Sequence, residues 1–139
     1  MSADEDIVRK FIHEAFNEGR LEAIDDMTTP AFVEHQDLGP NPPQGRDGPK
    51  AVVSSLRRAF SDFHLAVEDA ASRDGTVWLR MRATGTHDGP FMGRAPTGKR
   101  ISVTVIDVLR VADGKIIEHW GVADRLGVLS QIDGQVRAG

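Results

Sequence analysis

Cysteine is absent from the 139 residues. That excludes disulfides, thiolate catalysis and thiolate metal sites, and it fits a reducing cytoplasm. No apolar run approaches the roughly 20 residues that span a bilayer, so no membrane is expected as a partner. Basic residues are in the minority, 17 Lys and Arg against 21 Asp and Glu, for a net charge of −4. Nucleic acid would demand a concentrated basic surface and is not expected either. The acidic N-terminus lacks the basic-then-apolar pattern of a signal peptide, so the expected location is cytoplasmic. Metal spacings are missing as well, with no His-x-x-x-His, no His-Glu-x-x-His and no calcium-loop run of acids. Gly93 to Lys99 approaches a phosphate loop, but Arg100 stands where a hydroxyl would meet magnesium, and a strand pattern follows instead of a helix.

What the sequence does contain is organised around Lys99 to Asp124. Apolar and polar residues alternate from Lys99 to Val111, Asp113-Gly114 supplies a turn, and Lys115 to Asp124 runs back. Asp-Gly between alternating runs signals a hairpin, because a type I′ turn requires positive φ at both central residues. Counting outward from the turn opposes Val111 to Ile116, Leu109 to Glu118, Asp107 to Trp120, Val105 to Val122 and Val103 to Asp124. One face then carries Ile101, Val103, Val105, Leu109, Val111, Ile116, Trp120 and Val122 together with Asp107, Glu118 and Asp124. It holds more of the large apolar groups and is expected to face the interior, which puts carboxylates in apolar surroundings, as acid/base groups require. The same count turns His119 outward. A β-bulge would reverse every assignment beyond it.

The remainder predicts helices first and sheet afterwards. Ser2 and Glu5 form a capping box for a helix over 2–16, and Gly19 is a plausible stop. Leu21, Ile24 and Met27 predict a short second helix ended by Thr28-Thr29-Pro30. Ala31 to Gln36 is a short extended piece. Residues 37 to 48 form a Pro/Gly/Asp loop able to border a pocket. Val52, Val53, Leu56, Ala59 and Phe60 predict a third helix. Two more strands flank Asp74-Gly75, and a connection containing Phe91 and Met92 leads to the long hairpin. The expected fold is one α+β domain over 1–139, with helices packed on one face of a strongly curved antiparallel sheet around a small-molecule cavity.

The runs Gly85 to Gly93, Pro96 to Lys99, Ile106 to Arg110, Asp113 to Trp120 and Asp124, with Phe32 to His35 and Ala59 to Asp62, resemble the SnoaL-like polyketide cyclase family over nearly the whole chain. The resemblance implies an NTF2-like α+β cone, usually a homodimer through the outer sheet face. It implies closure of the last ring of aromatic polyketide esters by intramolecular aldol condensation. It also implies no metal or organic cofactor and a pocket aspartate as general acid/base. The aspartate after Glu-His-Trp is Asp124, with Asp107 as second acid or orienter. The same fold hosts isomerases, epoxide hydrolases and pure binding modules, so a related isomerase or lyase activity, or ligand binding without chemistry, stays open.

Each candidate also has a plainer use. Asp107 could pair with a buried arginine or amide, and Asp124 could cap a strand end. Trp120 is a flat wall for a ring-shaped ligand or ordinary core. His35 precedes the loop over the mouth, and His87 shares the parity of Val77, Leu79, Met81 and Ala83, which places it at the pocket rim. Together with Phe91 and His119 of the family motif they form the expected substrate-binding set. Trp78, Arg80 and Arg82 face the other way and suggest a homodimer surface.

Overall fold

The structure, a computed structural model, describes residues 2–134; the outermost positions of the expected 1–139 domain lie outside the described residues. The capping box forms as expected. The Ser2 hydroxyl accepts the Glu5 N–H at 3.0 Å, and the Glu5 carboxylate accepts the Ser2 N–H at 3.1 Å. It starts α1 (Ala3–Phe11), which continues as a π-helical stretch over Ile12–Asn17. There follow α2 (Leu21–Met27), β1 (Thr28–Glu34), α3 (Asp47–Ala59), β2 (His64–Arg73), β3 (Thr76–Thr86), β4 (Arg100–Ala112), β5 (Lys115–Ala123) and α4 (Arg125–Asp133).

The strands form one sheet in the order β1-β5-β4-β3-β2. Four are antiparallel, but β1 runs parallel to β5, so the sheet is mixed and not wholly antiparallel. Thr28, Thr29 and Pro30 do not merely end a helix; they begin that strand. Pro30 is tolerated because β1 is an edge, where a missing N–H breaks no interior ladder. Both Asp-Gly turns form with positive φ at each central residue, 52° and 81° at Asp74 and Gly75, 50° and 76° at Asp113 and Gly114.

The expected register fails just past the second turn. Val111 pairs with Ile116, but Arg110 pairs with Glu118, so Ile117 is an extra residue. Beyond this bulge Leu109 opposes His119, Val108 opposes Trp120 and Asp107 opposes Gly121. His119, Gly121 and Ala123 therefore share the inner face with Asp107. Glu118, Trp120 and Val122 turn outward, with Trp120 37% and Val122 73% exposed. The parity of β4 is unaffected, and Asp107 is buried.

The helices cover the inner face. Val8, Phe11, Ile12, Ala15 and Phe16 meet Val77, Leu79, Met81 and Ala83 of β3 and Ile101, Val103 and Leu109 of β4 in one core, joined by Val53, Ala59, Phe60 and Phe63. The chain after β3 is stapled to the end of α3, where the Asp88 and Gly89 N–H groups both donate to the Ala59 carbonyl at 3.1 and 2.9 Å. This staple positions Phe91, which precedes a third two-residue turn at Met92-Gly93.

Candidate active site

Between sheet and helices lies a cavity of about 430 Å³, within the range of small-molecule sites. Its wall is mostly apolar, with Leu56, Phe60, Phe63, Phe91, Val103 and Val105 prominent. Its polar groups are few. Asp107, His119 and Gln36 stand on the sheet side, and Arg125 at the mouth donates to the Asp37 carbonyl at 2.5 Å.

His119 is the centre of the polar group. Its Nε2 lies 3.1 Å from Asp107 Oδ2 and its Nδ1 lies 2.5 Å from Glu34 Oε2. All three side chains are at least nine-tenths buried. The sheet builds this directly, since β4 brings Asp107 beside β5 and the parallel pairing sets Glu34 opposite His119. Burial alone would drive the proton off the imidazole. The two carboxylates, Asp107 foremost, outweigh it and raise the pKa from 6.5 to about 10. At neutral pH the ring is thus an imidazolium clamped between two acids.

A raised histidine pKa has a defined consequence for stability. The folded value exceeds the unfolded one, so the contribution is complete below about pH 6.5 and is lost as pH rises through about 10. Urea midpoints measured across that interval should fall for the native chain, and His119→Gln should abolish this component. The substitution should also cost about 3 kcal/mol at neutral pH, as breaking a buried ion pair does. A pH dependence identical in both chains would contradict the clamp.

The Asp107 oxygen not engaged by His119 is turned to the space over Gly121. A Cβ built on Gly121 would lie 2.8 Å from Asp107 Oδ1, 2.9 Å from Gln36 Oε1 and 2.9 Å from His119 Cε1. Glycine is the residue that leaves this space open.

The expected site residues divide. Asp107, His119 and Phe91 line the cavity. Trp120 and His35 do not. They stack on the outer face with ring centroids 4.5 Å apart and planes 7° from parallel, and His35 Nε2 meets Glu118 Oε2 at 2.8 Å. The bulge at Ile117 is the cause for Trp120, and His35 follows it outward as the chain leaves β1. His87 is wholly buried rather than at the rim, with Nδ1 2.9 Å from Thr97 Oγ1 and its ring against Phe60. Asp124 is the N-cap of α4 and accepts the Gly127 N–H at 2.8 Å. Glu34, Gln36 and Arg125 join the site without a signal in the sequence pattern. The Phe-Val-Glu-His run contained Glu34, but only the parallel β1–β5 pairing places it against His119.

A mixed sheet roofed by helices over an apolar chamber, with one buried acid–imidazolium–acid group on its wall, defines an NTF2-like α+β protein. The comparisons give the family. The model of the SnoaL-like polyketide cyclases matches residues 6–132, and the chain belongs to that family. It is 32% identical over 136 residues to aklanonic acid methyl ester cyclase DauD of Streptomyces sp. (strain C5), covering 95% of this chain and 83% of that protein. It is 30% identical over 128 residues to nogalonic acid methyl ester cyclase of Streptomyces nogalater, covering 85% and 89%. Among solved structures, wild-type IdmH of Streptomyces antibioticus superposes with a TM-score of 0.81 at 32% identity, over 94% of this chain and 98% of that one. By this kinship the chain is a polyketide cyclase-like enzyme.

Proposed function

We propose that the chain closes a ring in an aromatic polyketide methyl ester by intramolecular aldol addition, with Asp107 as the base. The observation that supports this most is one buried carboxylate that lines a mostly apolar chamber, with Oδ2 held by His119 and Oδ1 bordering the space over Gly121. Asp107 removes a proton from the carbon between two carbonyls. The resulting enolate attacks a carbonyl carbon in the same molecule, so one C–C bond forms and one C=O becomes an alkoxide. Asp107 returns its proton to that alkoxide. Only a proton and an electron pair move, and the balance requires no oxidant. His119 holds Asp107 in place and offsets its charge. The mostly apolar walls suit a fused-ring ligand, and the relatives named as methyl ester cyclases support the substrate class.

The direct test is incubation with the methyl ester of an anthraquinone acid bearing a β-dicarbonyl side chain. The expected product has the substrate's mass and a new retention time. Unchanged substrate, or only the hydrolysed acid, would refute the reading. Asp124 receives no proton-transfer role in this scheme. Asp124→Ala should cost about 1 kcal/mol through the lost cap and keep turnover within about tenfold. Collapse of turnover in a folded Asp124→Ala chain would return the catalytic role to that residue.

We also propose that the chain works in the cytoplasm as a homodimer, and the outer sheet face supports the second part of that reading. Trp78, Val108 and Trp120 form one cross-strand row there, and Arg80, Ile106 and Val122 the next. Trp78 is 44% exposed and Ile106 43%, more adjoining apolar surface than a lone chain usually shows to water. Light scattering at micromolar concentration should give twice 15.2 kDa; the single value would remove the dimer.

A further inference from the structure

The space over Gly121 is bounded by two side chains that the proton-transfer scheme leaves unequal. Asp107 has a task there and Gln36 has none. Yet Gln36 is placed with care. Its backbone N–H donates to Glu34 Oε2 at 3.2 Å, the same oxygen that meets His119 Nδ1. Its side-chain amide makes no hydrogen bond among the described residues, although it borders the cavity. Oε1 and Asp107 Oδ1 both lie within 2.9 Å of the point a Gly121 Cβ would occupy, so amide and base stand less than two hydrogen-bond lengths apart. Among the described residues no partner fixes which end of the amide faces that point. Rotation about its last bond presents Nε2 in place of Oε1, and a ligand oxygen decides between them.

We propose that Gln36 is the oxyanion donor of the reaction, its Nε2–H holding the enolate oxygen while Asp107 Oδ1 takes the adjacent α-proton. This rests on the aldol reading. The geometry suits the pair of tasks, since an enolate oxygen lies one carbon away from the carbon being deprotonated, and base and donor must therefore be neighbours but not touching. An amide is also the suitable donor beside two carboxylates and an imidazolium. It adds no charge to the group and holds its donor at every working pH. A positioned donor aimed at developing negative charge acts on the transition state and not on the ground state.

The test compares the native chain with Gln36→Leu, and with Gln36→Met as a second apolar replacement, on the anthraquinone β-dicarbonyl methyl ester in D2O. Removing an amide that has no partner among the described residues strands none of their groups, and both variants should melt within a few degrees of the native chain. Two rates are read: deuterium entry at the α-carbon, and ring closure. Both should fall about 100- to 1,000-fold in the variants, with KM changed less than about threefold. Native rates in a folded variant would overturn the donor role and leave the aldol reading intact. So would a raised KM with unchanged kcat, which signals ordinary binding. Loss of closure with native exchange would also overturn it, because the amide would then serve the accepting carbonyl. If the native chain neither exchanges nor closes this substrate, the aldol reading fails and the donor role fails with it.

Discussion

Asp107→Asn should lower kcat by about 10²- to 10⁴-fold, the range spanned by a positioned acid/base group, while leaving the fold in place. Asparagine keeps the shape and can still accept from His119 Nε2 through its carbonyl oxygen. What it loses is the lone pair that receives the α-proton. The exchange of substrate α-hydrogen with solvent should stop along with ring closure, since both begin with the same proton transfer. The far-ultraviolet circular dichroism should match that of the native chain. His119 would lose the larger of its two supports and its pKa would move back down, because Asp107 contributes more to the shift than Glu34. A histidine pKa lowered in the variant, measured by NMR, would therefore accompany the lost turnover. Turnover within tenfold of native would remove Asp107 from the chemistry.

The largest effect on stability should come from a residue outside the cavity. In Gly89→Ala the new Cβ would fall 1.9 Å from the Arg58 carbonyl oxygen, 2.9 Å from its carbon and 3.2 Å from Ala59 Cα. All three are backbone atoms, so no side chain can turn aside. Retreat would break the two hydrogen bonds that Asp88 and Gly89 make to the Ala59 carbonyl. The cost should reach about 3 kcal/mol or more, the upper part of what overpacking exacts. A urea titration reads it directly as a lowered midpoint at unchanged slope. Loss of the staple would also release Phe91 from the cavity wall, so any folded fraction should bind a planar ligand more weakly. A midpoint within about 0.5 kcal/mol of native would mean that the segment moves freely, contrary to its packing.

How far the sequence reveals this molecule depends on whether the deciding interaction is local. The capping box at Ser2 and Glu5 and the turns at Asp74-Gly75 and Asp113-Gly114 each involve four residues, and each forms where expected. Counting from the turn turns Asp107 inward, as the structure has it, because β4 keeps its alternation unbroken. His119 and Trp120 were exchanged because a single surplus residue, Ile117, has no composition of its own; a bulge shows only in the pairing. Glu34 escaped for a different reason. Its partnership with His119 spans 85 positions and needs β1 to run parallel to β5, whereas Pro30 reads locally as a break. Asp124 illustrates a third limit, since a short acid before Arg-Leu-Gly suits a helix cap and a catalyst equally well. The family resemblance carries the architecture and the reaction class, while the arrangement of the acids rests on strand pairings that no local pattern encodes.

The surplus residue in β5 has a consequence of its own. Because successive side chains on a strand point oppositely, the slack at Ile117 decides at one stroke what the chamber receives and what the outer surface displays. Were the same residues to pair outward from the turn without that slack, the imidazole would go to the solvent side and the indole within, so the proposed reaction centre and the proposed assembly face are geared together. Neither could be redrawn by insertion or deletion in this hairpin without redrawing the other.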